Sequence, residues 1–234
     1  MIKKSLAIIP ARGKSKRIPR KNIKNFMGSP IIKYSIDAAL LSNCFDEVMV
    51  STDDMEIAEI AKKSGAKVPF IRSEQNSDDH STTADVILEV LECYRKLNSE
   101  FTHVCCIYPT APFVTAQKLI EARELLSNSG ADSVIPVTMF SFPIFRSIKI
   151  EDGKIKMFWP EYMNSRSQDL PKAYHDCGQF YYLNTLKFEK SKKLFSDNSL
   201  PMIIPESEVQ DIDNEEDWKI AEIKYELFKN KHNV

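Results

Sequence analysis

Several protein classes are excluded by what this sequence has little of. Its five cysteines, Cys44, Cys93, Cys105, Cys106 and Cys177, form no C-x-x-C pair and no Cys/His cluster at zinc spacing, so neither a disulfide framework nor a structural zinc site is expected. Reduced thiols in a cytoplasmic protein are. No apolar run approaches the ~20 residues of a membrane helix, and the N-terminal LAIIP is soon cut off by charge, so no span and no signal peptide are expected. Glycine is scarce, six in 234 residues, and neither G-x-G-x-x-G nor G-x-x-x-x-G-K-[ST] occurs. A phosphate cradle made of glycine-rich backbone alone is thereby ruled out. With a formal net charge of -1, a general nucleic-acid binder is ruled out as well.

At 234 residues and 43% hydrophobic content, the chain can bury one sizeable core, and residues 1–234 read as a single domain. Short Val- and Ile-rich runs at 5–10, 47–52, 67–71, 103–109 and 133–138 read as strands. Apolar residues at helical spacing mark helices at 30–42, 54–64, 83–97 and 214–230. This alternation predicts an α/β protein with a Rossmann-like, doubly wound, mostly parallel sheet. From about 139 to 175 the texture changes to aromatics and prolines around a turn at Glu151-Asp152-Gly153-Lys154, which reads as a β-rich arm. Its Phe140, Phe142, Phe145, Phe158 and Trp159 must either return to the core or meet another subunit. GQFYYL then resumes as a strand.

Against that balanced background, the loop after the first strand stands out. Arg12, Lys14, Lys16, Arg17, Arg20 and Lys21 fall within ten residues that contain no Asp or Glu. Such cations repel one another unless an anion lies among them, and the first strand-to-helix loop of an open α/β sheet is the usual phosphate site. Arg12 and Lys21 can reach a nucleoside triphosphate from two sides, Ser15 can donate a hydrogen bond, and Gly13 permits close backbone approach. Such a ligand is handled with Mg2+ held by one or two carboxylates. In VQDIDNEEDW, Asp211 and Asp213 share one face of an extended segment and suit that task, yet Asp213 also stands where a helix N-cap would. Both readings stand at this level. His175-Asp176 reads as a substrate-recognition pair, and Cys105-Cys106 as core.

IIPARGKSKRIPRKNIKNFMGSPIIKYSIDAA, FDEVMVSTDDMEIAEIAKKSGAKVPFIR, SDDHSTTADVI, YPTAPF, RSQDLPKAYHDCGQFYYL and DIDNEEDW together resemble the CMP-sialate synthetase (acylneuraminate cytidylyltransferase) family over nearly the whole chain. AYHDCGQFYYL resembles the pseudaminate branch, because sialate enzymes typically show Asn-Gly-Ala there. The resemblance implies attack of a nine-carbon sugar acid's anomeric hydroxyl on the α-phosphate of CTP, Mg2+ dependence, and a homodimer made through the arm. It implies nucleotide contacts from Ala11, Arg12, Gly13, Ser15, Lys16 and Asn22 and from Asp79, His80 and Ser81. Arg12, Lys21, Asp211 and Asp213 are implied as catalytic, with both aspartates holding metal. Arg166 and Gln168 are implied on the sugar, the first clamping its carboxylate; His175, Asp176 and Gln179 are expected to read its amides and hydroxyls. Two departures stand out: Lys14 within Gly13-Lys14-Ser15, and Tyr108 where sialate enzymes often carry Gln. The alternatives are the same reaction on sialic, legionaminic or another 3-deoxy-ulosonic acid, and a catalytically silent nucleotide-binding protein.

Overall fold

The computed structural model describes residues 4–78 and 81–232. In chain order the elements are β1 (Ser5–Pro10), the short pair β2 (Asn25–Phe26) and β3 (Ser29–Pro30), α1 (Ile31–Ser42), β4 (Glu47–Ser51), α2 (Met55–Lys63), α3 (Thr83–Lys96), β5 (His103–Ile107), α4 (Ala116–Ser129) and β6 (Ser133–Met139). Then follow β7 (Ile148–Glu151), β8 (Lys154–Met157), β9 (Tyr174–Asp176), β10 (Phe180–Asn184), α5 (Thr185–Ser191), β11 (Ser199–Ile203) and α6 (Glu215–His232).

The main sheet runs β4-β1-β5-β10-β6-β11, with β9 also on β6. β4, β1, β5, β6 and β11 point one way, and β9 and β10 run against them. Strands buried on both faces read as continuous apolar runs, and their two-residue period divides the core. Ala7, Ile9, Cys105 and Ile107 pack on the side of α1 and α4, whereas Leu6, Ile8, Val104 and Cys106 pack on the side of α3. The adjacent cysteines thus serve opposite faces of the core, and burial pushes the Cys106 thiol up to about 12. They are packing residues, as expected.

One expected strand is absent. Of residues 67–71, only Lys67 pairs with the sheet, at Met49, because Pro69 has no N–H to offer a ladder. Besides the short strands β2, β3 and β9, the elements α4, α5 and β11 lie outside the strands and helices read from the sequence.

Chain order reverses at β1: β4 adds on one side of it and β5 on the other. The loops after β1 and β5 therefore diverge and leave a crevice at the strands' carboxyl ends. A third apolar cluster, built on Ile18, Phe26, Ile31, Ile212, Trp218 and Phe228, fastens α6 and the segment before it against the β1 loop. In this way the C-terminal segment meets the loop after β1, which brings Asp213 to the basic loop. The β7–β8 hairpin turns through Asp152 and Gly153, both at positive φ, as a two-residue turn of this hand requires. It pairs with no other strand among the described residues, and Phe142 and Phe158 stay exposed.

Candidate active site

The basic loop is balanced by acids from elsewhere in the chain. Arg20 turns away from the crevice onto Asp54 and Glu56. Arg17 meets Asp213 at 2.7 Å, and the Lys21 ammonium donates to the Ile212 carbonyl at 2.7 Å with Asp213 at 3.9 Å. Arg12 donates to the Asp78 carbonyl at 2.9 Å. Burial holds Lys21 below the ordinary lysine range, although Asp213 and Asp211 oppose the shift. The Gly13 N–H donates to Asp53 at 2.8 Å, and a Cβ there would lie 2.6 Å from an Asp54 oxygen, so the turn needs glycine. Buried Asn22 donates to the Arg12 carbonyl at 2.9 Å and closes the loop on itself, while the Ala11 N–H bonds the Ser51 carbonyl at 2.9 Å. Ala11, Gly13 and Asn22 thus shape the loop through these contacts.

A cavity of about 300 Å³ opens in the crevice. Arg12, Ser15, Lys16, Lys21, Ser81 and Asp213 line it, which gathers most of the residues expected around a nucleotide. Asp79 and His80 lie outside the described residues. Sequence reasoning missed Arg72 and Thr83, which also line the cavity. Arg72 is buried against the Ser51 hydroxyl at 3.0 Å, and burial lowers its pKa. Its only signal in the sequence was a cation closing the apolar stretch VPFIR. Thr83 opens α3, whose start is fixed by reciprocal bonds between Thr82 and Asp85. Lys14 faces a neighbouring cavity with Asp53 and Glu74.

A second cavity, of about 570 Å³, adjoins the first, and Tyr108 is the residue common to both linings. His175, Asp176, Tyr181, Asp211 and Lys224 face it. Asp176 accepts from the Gly178 N–H at 2.9 Å and from the Tyr181 hydroxyl. Gly178, at φ +58, supplies the left-handed turn between β9 and β10 that lets Asp176 reach back. The Tyr108 hydroxyl lies 3.0 Å from Thr83 Oγ1, and burial raises the pKa of both Tyr108 and Tyr181, keeping them as neutral phenols. The His175 ring packs on Phe140 at 4.7 Å between centroids.

Asp211 and Asp213 are divided between the two cavities, Asp213 on the first and Asp211 on the second. Neither caps α6. Asn214 fills that place: its side chain accepts from the N–H groups of Glu216 and Asp217 at 2.8 and 2.9 Å, and Asp217 reciprocates at the Asn214 N–H at 3.0 Å. Burial first, and the neighbouring Asp213 charge second, raise the Asp211 pKa. No cluster of three or more His, Cys, Asp or Glu side chains fit to hold a metal occurs among the described residues.

Three expected sugar-side residues lie elsewhere. Gln179 is buried and donates to the Glu208 carbonyl at 2.6 Å; it faces neither cavity, which corrects the expectation that it reads the sugar. Its role is that of a strut under the segment that carries Asp211. Arg166 and Gln168 sit on the exposed arm, and Arg166 is bound to Asp169 at 2.7 and 3.1 Å, away from both cavities of its own chain.

The profile of the family described as Cytidylyltransferase matches residues 6–208. The chain is 42% identical to the pseudaminic acid cytidylyltransferase of Campylobacter jejuni over 225 residues, covering 96% of this chain and 97% of that one. It is 33% identical to the CMP-N,N'-diacetyllegionaminic acid synthase of Legionella pneumophila, covering 95% and 96% of the two chains. Among solved structures, CMP:2-keto-3-deoxy-manno-octonic acid synthetase in complex with CTP superposes with a TM-score of 0.68 at 16% identity, covering 97% of this chain and 99% of that one. That likeness is one of fold.

Proposed function

The chain belongs to the cytidylyltransferase family, and from that premise we propose that it joins CTP to a nine-carbon sugar acid, pseudaminic acid before others, giving the CMP-sugar and pyrophosphate. The observation that supports this most is the pair of adjoining cavities with Tyr108 common to both and one aspartate of the Asp211/Asp213 pair on each. A two-substrate transfer needs such a junction, with donor and acceptor meeting in one place. A silent binding protein has no need to present two carboxylates there.

The triphosphate lies in the first cavity, where Arg12, Lys16 and Lys21 oppose its charge and Ser15 donates to a phosphate oxygen. The sugar lies in the second, where Asp176, held by Tyr181 and Gly178, accepts from hydroxyl or amide N–H groups. The anomeric oxygen forms its bond to the α-phosphorus as the bond to pyrophosphate breaks, and the hydroxyl proton leaves to solvent or a neighbouring base. No side-chain nucleophile takes part.

Mg2+ fits the carboxylate pair. Both groups are hard oxygen donors, and burial with the neighbouring Asp213 charge raises the Asp211 pKa, an excess of negative charge that a divalent cation would offset. Because no third acid completes a cage among the described residues, phosphate oxygens and water would supply the other ligands. The metal, when bound, neutralises charge on the phosphate oxygens. Asp211 and Asp213 would hold it, and Lys21 and Arg17 keep Asp213 oriented.

We further propose a homodimer in cytoplasm, formed through the arm. Phe142 and Phe158 remain exposed there, and Arg166 and Gln168 are carried beyond the reach of their own cavities, so a second copy is the acceptor their placement suits. The test is pyrophosphate release from CTP and Mg2+ with pseudaminic, N,N'-diacetyllegionaminic and N-acetylneuraminic acids, and with UTP replacing CTP. The highest kcat/KM is expected with CTP and pseudaminic acid. A preference for another sugar acid would remove that choice of sugar and leave the transferase reading intact.

A further inference from the structure

We infer that Lys224 of α6 is the same-chain counter-charge for the carboxylate of the sugar acid. This inference rests on the proposed reaction and deepens it. In a 3-deoxy-ulosonic acid, the carboxylate is attached to the anomeric carbon that also carries the attacking hydroxyl. Wherever that oxygen meets the α-phosphorus, the carboxylate is carried along to the junction of the two cavities.

The second cavity is acidic on that side. Asp176, Asp211 and Glu206 line it; Mg2+ would offset Asp211, but an anion entering beside Asp176 and Glu206 is still repelled unless a further cation is close. Lys224 is the one lysine or arginine among the described residues lining it. Its ammonium donates to the Val209 carbonyl at 2.8 Å and to the Glu206 carbonyl at 3.4 Å. An ammonium has three N–H donors, so one remains for a ligand. Both partners are neutral carbonyls, which fix the position of the charge without cancelling it.

Val209 precedes Asp211 by two residues, so the cation is held to the same short segment as that carboxylate. The neighbouring Tyr225 is buried in the cluster that fastens α6, which gives Lys224 a rigid base. Arg166, the cation expected from sequence, lies outside the cavity of its own chain, bound to Asp169, so within one chain Lys224 has that place.

Lys224 could instead act only by holding the 206–209 carbonyls, and the experiment separates the two roles. The wild type, Lys224→Gln and Lys224→Arg are compared for the KM of sugar acid and of CTP. In addition, the inhibition constants of the unreactive 2-deoxy sugar acid and of its carboxamide are compared. Lys224→Gln is expected to raise the KM for the sugar acid about 10- to 100-fold, with CTP binding in the absence of sugar changed less than about twofold. The wild type should prefer the acid over its carboxamide about tenfold or more, Lys224→Arg should keep that preference, and Lys224→Gln should lose it. Lys224→Met retains the length of the stem and carries the same comparison if the Gln variant does not fold. An unchanged acid-to-amide ratio in the Gln or Met variant overturns the assignment, as does a loss confined to kcat and Mg2+ requirement. Should the wild type release no pyrophosphate with any sugar acid, the proposed reaction fails and the inference with it, an outcome distinct from an active wild type with an unchanged ratio.

Discussion

Asp213 and Asn214 are neighbours with separable duties, and substitution tells them apart. Asn214→Ala removes the acceptor of two N–H groups at the start of α6, so it should cost about 1 kcal/mol of stability and leave kcat near wild type. Asp213→Asn or Asp211→Asn leaves that cap in place and should lower kcat by ~100-fold or more without rescue by added CTP, because the lost charge acts on the transition state. Thermal melting and steady-state kinetics on the three variants check this. The sequence offers Asp213 as the cap, and the structure moves the cap one residue on to Asn214, since spacing alone does not say which residue is the last extended one. Arg12 and Lys21 are legible as phosphate ligands from their place after the first strand, whereas spacing leaves Asp211 and Asp213 open between metal and cap; the structure puts Arg12, Lys21 and Asp213 on one cavity and Asp211 on the next. Gln179 reads as a sugar contact in the sequence because its amide offers both a donor and an acceptor. Its side chain is instead buried and donates to the Glu208 carbonyl at 2.6 Å, while its own carbonyl accepts from the Tyr108 N–H at 2.9 Å.

At the scale of elements, two anchors set the geometry of the site. The first joins the basic loop to α2. Asp54 caps α2 at the Ile57 N–H and is bound by Arg20, whose hydrogen bond is the largest cause holding the Asp54 carboxyl below its ordinary 3.8. A carboxyl depressed in the folded state contributes stability that is present above its unfolded value and lost as pH falls through the folded one. Asp54→Asn keeps a capping oxygen and loses the ion pair, so it should be less stable than wild type by about 1 kcal/mol or less at neutral pH, with the two converging below pH 3.8. Urea melts across that range measure it.

The second anchor lies under the segment that carries Asp211 and Asp213. Buried Glu208 meets Lys118 at 2.9 Å and Lys231 at 2.8 Å, tying that segment to α4 and α6. Glu208→Gln leaves the Lys118 ammonium buried without its anion and should cost about 3 kcal/mol in the same urea experiment. Neither anchor could be read from sequence, because each joins residues more than twenty apart through contacts that no local period encodes. β11 is hidden for a local reason, its interruption by Pro201 at the sheet's edge, whereas α4 buries Leu119, Ala122 and Leu126 at helical spacing and could have been read.

For the whole molecule, the doubly wound core was legible because parallel strands buried on both faces leave an unmistakable alternation of apolar runs and amphipathic helices. The arm was legible as a change of texture, and its placement of Arg166 was not. If two copies exchange arms, purified Arg166→Ala and Asp213→Asn proteins, each poorly active, should regain about a quarter of wild-type activity on mixing and re-equilibration, because half of the dimers then hold one intact site. Light scattering should give twice the chain mass, and a monomer with full activity removes the exchange.

The central claim is that two substrates meet where Tyr108 borders both cavities, so that cytidylyl transfer to a sugar acid is the chemistry of this fold. Phosphorus NMR of the purified wild type with CTP, Mg2+ and pseudaminic acid tests it most directly. The signals of CTP should give way to equal amounts of pyrophosphate and a new CMP-sugar phosphodiester, with neither formed when the sugar is left out. Persistence of CTP with every sugar acid offered, or its conversion to CMP without a phosphodiester, would contradict it.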